Sequence, residues 1–300
     1  MFRVIVPTLN AAGDWPRFSQ SLLENVEANQ VLVLDSESTD GTQNLVLNAG
    51  MELRTIKRAE FNHGATRQYG AEVASDAEVL VYLTQDAVLA SPDAIRRLLA
   101  VFQDSEVGAV YGRQLPRPGA GAIEAHAREF NYPRISNMRT LESRRHLGLK
   151  AAFLSNSMAA YRRSVLISTG GFPSSVIFGE DMCVAARMLL SGKKIAYVAD
   201  ACAYHSHNYT STQEFKRYFD IGVLHSREAW LLKEFGSVQG EGKRFVFSEL
   251  HYLLKKNPAQ IPAALLRAGS KLLGYRLGQM EAKLPQSAKR AMSMHSKYWT

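Results

Sequence analysis

Strand-like and helix-like patterns alternate along the first third of this 300-residue chain. Short apolar runs rich in β-branched residues occupy residues 2–6, 30–34, 51–56, 78–83 and 107–111. Apolar residues at helical spacing lie between these runs, as in residues 16–26 and 63–74. The alternation predicts an α/β fold of right-handed βαβ units, with a mostly parallel sheet that helices cover on both faces.

Later segments follow the same pattern less regularly. Residues 113–150 predict a long loop followed by a polar, arginine-rich stretch, and residues 151–161 and 194–198 predict strands. A helix is expected over residues 179–190, and helices after Thr210. Capping boxes place helix starts at Asp40, with Gln43, and at Ser211, with Glu214.

Composition excludes several classes of protein. Hydrophobic residues make up 46% and charged residues 21%, which is ordinary for a globular protein. No apolar run reaches the length of a membrane span, and the start of the chain lacks the apolar region of a signal peptide. Two cysteines do not form a secreted disulfide framework, so a cytoplasmic location is expected.

Residues 244–300 contain ten basic and two acidic residues, which equals the net charge of +8 of the whole chain. Leucines recur here at helical spacing, so the segment predicts basic amphipathic helices. Such helices either bind an anionic membrane surface or pack on the rest of the protein with a solvated charged face. No nucleic-acid recognition motif is present, so nucleic acid is not expected as a partner.

Small polar residues follow three of the predicted strands. They form the segments Pro7-Thr8-Leu9-Asn10, Asp35 to Thr42, and Thr84-Gln85-Asp86. Ligands of open α/β sheets bind outside the carboxyl ends of the strands, so these segments predict one site. Neither GxGxxG nor GxxxxGK[ST] occurs, which disfavours a dinucleotide fold and a P-loop kinase.

Together with Gly170-Gly171-Phe172 and Glu180-Asp181, these segments resemble the inverting glycosyltransferase family 2, whose fold is GT-A, over about residues 2–209. Residues 61–67 (FNHGATR) and 83–87 (LTQDA) look like bacterial rhamnosyltransferases of surface-polysaccharide synthesis. The resemblance implies a GT-A domain at 1–210, divided into a donor half (1–112) and an acceptor half (113–210). A helical extension follows at 211–300.

The resemblance also implies roles for particular residues. Asp35 is expected to bind the nucleotide base, and Asp86 to bind Mg²⁺ or Mn²⁺ against the donor diphosphate, with His205 as a further metal candidate. Thr84 stands where the family has the first Asp of its D-x-D motif. The donor-binding residues are expected to be Pro7, Thr8, Asn10, Asp35, Ser38, His63, Gly64, Arg67, Thr84 and Gln85.

Residues 63–67 begin a predicted helix, and free amides at a helix N-terminus can bind a phosphate, with Gly64 allowing close approach. Arg67 would pair with that phosphate or with a neighbouring acid. The alternative is an ordinary helix start with a surface arginine.

Asp181 is expected to be the general base that takes the acceptor's hydroxyl proton, as its position in the family pattern implies. Glu180 and Asn156 are expected to bind the acceptor. The alternative is that the adjacent acids only favour the start of a helix through its dipole.

The implied activity is inverting transfer of a sugar, with dTDP-L-rhamnose as the expected donor, to a glycan or lipid-linked glycan. A lipid-linked acceptor would place residues 244–300 on the cytoplasmic face of the inner membrane. Two alternatives remain: the same chemistry with a UDP-hexose, and a non-catalytic protein that binds a nucleotide sugar.

Overall fold

A computed structural model describes residues 1–237 and 240–299 of the chain. One sheet of nine strands forms its centre. The strands are β1 (Phe2–Thr8), β2 (Val31–Asp35), β3 (Glu52–Thr55), β4 (Val79–Leu83), β5 (Val88–Leu89), β6 (Val107–Leu115), β7 (Asn137–Arg139), β8 (Met158–Arg162) and β9 (Lys194–Tyr204). Residue 300, the end of the predicted extension, lies outside the described residues.

The sheet has the order β3-β2-β1-β4-β8-β6-β9-β5, and β7 pairs with β9. Strands β1 to β4 are parallel, as the alternating pattern predicts, and β6 is parallel to β9. Strand β8 runs antiparallel to both β4 and β6, and β5 and β7 are antiparallel to β9. The prediction of a mostly parallel sheet therefore holds for the first half, and the complete sheet is mixed.

Helices cover both faces of the sheet. They are α1 (Trp15–Leu23), α2 (Thr42–Asn48), α3 (His63–Val73), α4 (Ala94–Leu99), α5 (Ala122–Asn131), α6 (Arg144–Leu147), α7 (Arg163–Ser168), α8 (Glu180–Leu190), α9 (Ser211–Arg227), α10 (Ala229–Phe235), α11 (Glu241–Lys256), α12 (Ile261–Gln279) and α13 (Gln286–Met292). Two buried apolar clusters, one containing Ile5 and Tyr82 and the other Val4 and Val81, occupy opposite faces, as alternation along a strand requires.

Both predicted capping boxes differ in detail from the structure. Helix α2 follows Gly41, whose φ of 90° only glycine adopts readily, and the Gln43 side chain bonds Asp35 instead of closing a box with Asp40. Helix α9 has its N-cap one residue earlier than predicted, at Thr210. Serine and threonine hydroxyls can both cap a helix, so the local sequence did not decide between Thr210 and Ser211 as the N-cap.

Residues 113–150 also differ from the predicted loop. Strand β6 continues to Leu115, helix α5 follows, and strand β7 adds to the sheet. Helix α5 packs against α11, and its buried Ile123 clusters with Leu253 of α11 and Ala264 of α12. Helix α5 has a short apolar face, and part of its packing comes from a helix that is distant in the sequence. Its local apolar periodicity is therefore weak.

Helix α12 packs against α9 through glycines. A Cβ at Gly274 would lie 2.2 Å from the Phe215 carbonyl oxygen, and one at Gly278 would lie 2.1 Å from that of Phe219. The two backbones are therefore in contact. On the other face of α12, Leu265, Leu266, Leu272 and Leu273 are 50–64% exposed. Among the described residues, none of the helices combines the length and hydropathy that crossing a bilayer requires.

Candidate active site

The carboxyl ends of β1 and β2 meet at one edge of the sheet, where Thr8 is the register partner of Asp35. The Asp35 carboxylate is fully buried and accepts hydrogen bonds from the Thr8 hydroxyl (3.0 Å), from the Ser38 amide and hydroxyl (2.9 and 2.5 Å), and from Gln43 Nε2 (2.7 Å). This carboxylate organises the loop after β2. Its predicted contact with a nucleotide base stays a prediction.

The loops after β1, β2 and β4 are joined by further hydrogen bonds. Asn10, at a positive φ of 49°, donates its amide to Ser38 Oγ and accepts from the Thr39 amide. Gln85 bonds both the amide (2.8 Å) and the carbonyl (3.2 Å) of Leu9, the residue after Pro7-Thr8. These predicted donor residues thus form one connected rim, in which the Gln85 side chain is bound to the backbone of Leu9.

Asp86, His205 and His207 form a cluster whose ligand atoms all lie within 4.8 Å of one another. Asp86 Oδ1 is 3.4 Å from His205 Nε2, and Asp86 Oδ2 is 3.9 Å from His207 Nε2. Burial opposes ionisation of Asp86, but His205, Thr84 and His207 outweigh it and hold the pKa of the carboxyl below its usual range. One carboxylate and two imidazoles form a donor set that can bind a divalent transition-metal ion.

Gln114, which the sequence did not single out, orients His205. Its Oε1 lies 3.1 Å from His205 Nδ1, while its Nε2 bonds the hydroxyls of Ser155 and Ser157. Because the amide oxygen can only accept, His205 Nδ1–H is the donor of this bond, and Nε2 is the ring nitrogen that faces Asp86. Fixing the histidine in this way is typical of the residues behind metal ligands.

Arg117 also contacts this cluster. Its guanidinium donates to Asp86 Oδ2 at 3.2 Å and to the Asp86 carbonyl at 2.8 Å. The cluster contains His207 in addition to the two predicted metal ligands, Asp86 and His205. Its carboxylate, that of Asp86, also forms an ion pair with Arg117. A metal ion here would compete with Arg117 for Asp86.

A second polar cluster lies at the start of α8. Glu180 is 5% exposed and forms an ion pair with the buried Arg67 at 3.0 Å. It also accepts from Asn156 Nδ2, whose own Oδ1 accepts from the Tyr161 hydroxyl at 2.6 Å. Burial opposes its charge, but Arg67 and then His63 lower the pKa of Glu180. Glu180 is therefore a paired, ionised group.

Asp181 differs from its neighbour. Its side chain accepts from the backbone amides of Asn156 (3.2 Å) and Met182 (2.8 Å), and it keeps partial exposure. Burial, followed by the charge of Glu180, raises the pKa of Asp181 to about 7. A carboxylate with a pKa near neutrality is well matched to accepting a proton from a hydroxyl.

The predicted anion site at residues 63–67 is not open. The amides of Gly64 and Ala65 both donate to the Asn62 side chain, and Arg67 is engaged by Glu180. Gly64 is required by its own chain, because a Cβ there would lie 1.8 Å from the Pro173 carbonyl oxygen. The part of the prediction that agrees with the structure is the pairing of Arg67 with an acid.

Residues 155–157 connect the two clusters. The hydroxyls of Ser155 and Ser157 bond Gln114 beside the metal candidates, whereas Asn156 between them bonds Glu180 and Asp181. The Ser-Asn-Ser segment therefore spans the distance from the metal candidates to the candidate base.

A mixed sheet with a polar rim at its strand ends, an Asp/His cluster at one side and a buried acid pair at the other defines a GT-A glycosyltransferase. The sequence profile of glycosyl transferase family 2 matches residues 3–170, and the chain belongs to this family. The predicted family and enzyme class are thereby confirmed.

Two curated Salmonella proteins are 44% identical to this chain. They are the O-antigen chain rhamnosyltransferase WbaN of Salmonella anatum, aligned over 300 residues, and RfbN of Salmonella typhimurium, aligned over 298 residues. Each alignment covers 99% of this chain and 95% of the relative.

Solved structures support the fold alone. The Pyrobaculum calidifontis mannosyltransferase PcManGT, solved with GDP-Man and Mn²⁺, superposes with a TM-score of 0.57 at 21% identity over 99% of this chain and 84% of that chain. Staphylococcus aureus TarS 1–349 gives 0.56 at 15% identity, over 94% and 91%.

Proposed function

We propose that this protein is an inverting rhamnosyltransferase that transfers L-rhamnose from dTDP-L-rhamnose to a hydroxyl of a lipid-linked glycan in O-antigen synthesis. The observation that carries the proposal is the near full-length identity of 44% to two proteins named O-antigen chain rhamnosyltransferases. The buried acid pair at Glu180 and Asp181 supports catalysis over mere binding of a nucleotide sugar, because a binding protein needs no base.

In the proposed reaction, Asp181 takes the proton of the acceptor hydroxyl as that oxygen attacks the anomeric carbon. The bond from this carbon to the diphosphate oxygen breaks, and its electron pair leaves with the nucleoside diphosphate. Glu180, held by Arg67 and Asn156, raises the basicity of Asp181 through its charge, and the amides of Asn156 and Met182 hold the Asp181 carboxylate in place. The new bond forms on the opposite face of the sugar, so the configuration inverts.

The residues Asp86, His205 and His207 would hold the divalent cation, for which we propose Mn²⁺ or Mg²⁺. When bound, such an ion supplies positive charge that stabilises the departing diphosphate. Gln114 would keep His205 facing it.

We also propose that the protein works at the cytoplasmic face of the inner membrane, where a lipid-linked acceptor is located. The observation that supports this is the outward leucine face of α12 within a segment of strongly positive charge. Aliphatic side chains insert into the lipid interface, and anionic headgroups attract Lys and Arg.

A transfer assay tests the proposed function. The purified protein is given dTDP-rhamnose, UDP-glucose or GDP-mannose, each with a lipid-linked O-unit precursor and with Mn²⁺ or EDTA. Rhamnose transfer that depends on Asp181 is the expected result. Transfer from a UDP-hexose instead would keep the reaction and exclude the donor. Donor binding without any transfer would favour the non-catalytic alternative.

A further inference from the structure

The charge of a donor diphosphate needs cations that residues 63–67 do not provide. The amides of Gly64 and Ala65 are capped by Asn62, and Arg67 is bound to Glu180. Releasing Arg67 would leave Glu180 buried and unpaired, which is strongly unfavourable. The groups that bind the diphosphate must therefore lie elsewhere in the site.

Two arginines near the site have no anionic partner. They are Arg128 on α5 and Arg217 on α9, and within residues 1–237 and 240–299 neither side chain forms an ion pair or a hydrogen bond. The Nε of Arg128 is buried without an acceptor. A buried donor without a partner costs free energy, so its presence in a folded protein calls for a ligand.

Arg217 stands between the two halves of the candidate active site. Its guanidinium carbon is 5.8 Å from the Tyr209 ring, which stacks on His207 at 5.1 Å, and His207 belongs to the metal-candidate cluster. On its other side the guanidinium is 6.0 Å from the Phe178 ring, two residues before Glu180. A diphosphate bound between the metal-candidate cluster and the start of α8 would therefore lie near this guanidinium.

Arg128 lies in the same electrostatic environment. Burial is the main cause that lowers the pKa of Arg128, and Arg217 lowers it further, whereas Tyr132, Glu124 and Tyr209 favour its charge. Glu124, on the same helix, is the acid among these groups, and within residues 1–237 and 240–299 no ion pair joins it to Arg128. Each guanidinium thus acts on the charge of the other, and among the described residues no ion pair engages either of them.

We propose that Arg128 and Arg217 bind the diphosphate of the nucleotide-sugar donor and neutralise it as it leaves. The proposal rests on the proposed function, which supplies the nucleotide sugar. Guanidinium groups bind phosphate oxygens through paired, charge-assisted hydrogen bonds. As the bond between the anomeric carbon and the diphosphate oxygen breaks, the electron pair goes to that oxygen, and the two arginines stabilise its new charge.

A lipid-linked acceptor carries a diphosphate as well, so the same chemistry has two possible sources. We assign the site to the donor because Arg217 lies between the metal-candidate cluster and the residues that precede the base. A short prenyl diphosphate serves as the probe for the other source.

The test measures binding of thymidine, dTMP and dTDP to the full chain by titration calorimetry. Arg217→Gln and Arg128→Gln should each weaken dTDP binding about tenfold, or about 1.4 kcal/mol. Binding of thymidine, which has no phosphate, should stay unchanged. Arg217→Lys should recover part of the loss. Lys216→Gln, which removes the neighbouring charge on the same helix, is the matched control and should bind all three ligands like the wild type.

Three results would overturn the assignment. The first is an equal loss of thymidine and dTDP binding, which would indicate a structural role. The second is unchanged dTDP binding in both variants. The third is a loss confined to the prenyl diphosphate, which would move the site to the acceptor.

The donor proposal can fail separately. If the wild type binds UDP or GDP in place of dTDP, the same series of nucleoside, monophosphate and diphosphate is measured with that base. Melting curves of all variants show whether they are folded, and Arg217, being exposed, should tolerate substitution.

Discussion

Glu180 and Asp181 are adjacent in sequence yet have opposite ionisation behaviour. Arg67 lies 3.0 Å from Glu180 and lowers its pKa, so Glu180 stays charged in spite of its burial. Its charge then adds to burial in raising the pKa of Asp181 to about 7. Different surroundings thus give two like groups different pKa values, which is a common arrangement where acid–base chemistry takes place.

The first prediction concerns pH. Since Asp181 must be deprotonated to act as a base, kcat/KM should rise about tenfold per pH unit below pH 7 and level off above it. Asp181→Asn should remove turnover and keep donor binding. Rates measured from pH 5 to pH 9 check this. A flat profile over that range would exclude Asp181 as the titrating base.

The second prediction concerns stability. Arg67→Met leaves Glu180 buried without its partner, and about 3–5 kcal/mol of unfolding free energy should be lost. The double variant Arg67→Met/Glu180→Leu should regain much of it, because no unpaired charge remains. Urea unfolding of both proteins measures the difference. Equal stability of the two variants would show that the ion pair is not the cause.

The third prediction concerns Gln114. Gln114→Leu removes the acceptor that holds His205 Nδ1–H, so Mn²⁺ affinity should fall about 10- to 100-fold. Electron paramagnetic resonance of free Mn²⁺ measures this without any turnover. Gln20→Leu, on the exposed side of α1, is the control. Unchanged affinity in Gln114→Leu would mean that His205 does not bind the ion.

At the scale of elements, α12 shows how far a sequence pattern can mislead. Leucines at helical spacing usually indicate the buried face of a helix. Here Gly274 and Gly278 face α9, and backbone contact replaces side-chain packing. Nothing in the leucine spacing shows this, whereas the spacing of the two glycines by four residues was a usable sign of close helix contact.

The fourth prediction uses two glycines of this helix. Gly274→Ala should destabilise the protein, because its Cβ would meet the Phe215 carbonyl oxygen at 2.2 Å. Gly269→Ala, where no atom lies within 4 Å, should stabilise it by about 1 kcal/mol through helix propensity. Thermal unfolding should therefore give shifts of opposite sign. Shifts of the same sign would contradict the packing of α12 on α9.

The strands and helices of the first half were predictable because local patterns determine them. The strand ends placed Thr8, Asp35 and Asp86 at one edge, as the topology of a parallel sheet requires. Gln114 and the Asn62 cap of residues 64–65 were not predictable, since they depend on contacts between distant segments. The sequence therefore predicted which residues meet at this edge, but not the hydrogen bonds that hold them.

At the scale of the whole molecule, charge and exposed apolar surface concentrate in one region. Residues 244–299 carry the net positive charge and include Phe247, Leu254 and the outward leucines of α12, all at least 50% exposed. The polar rim formed by Thr8, Asp35 and Gln85 lies elsewhere, at the carboxyl ends of the strands. The molecule is thus organised as a catalytic sheet with a basic, leucine-bearing face.

The fifth prediction tests this face. The protein should float with vesicles that contain phosphatidylglycerol and remain behind with phosphatidylcholine alone, and added salt should weaken binding. Leu266→Glu/Leu273→Glu should abolish flotation and keep transfer to a water-soluble acceptor. Leu47→Glu, at a 58% exposed position on α2, is the control. If the wild type does not float but forms a dimer that the double variant does not form, the leucine face would instead be a self-association surface.

The glycine contact of α12 has a consequence for how this protein can change. Because the helix is attached through its backbone, the residues on its outer face contribute little to folding and are free to vary. Lineages could exchange these leucines for other side chains while the sheet and its rim stay the same. An engineer could use that freedom to attach the enzyme to a solid support.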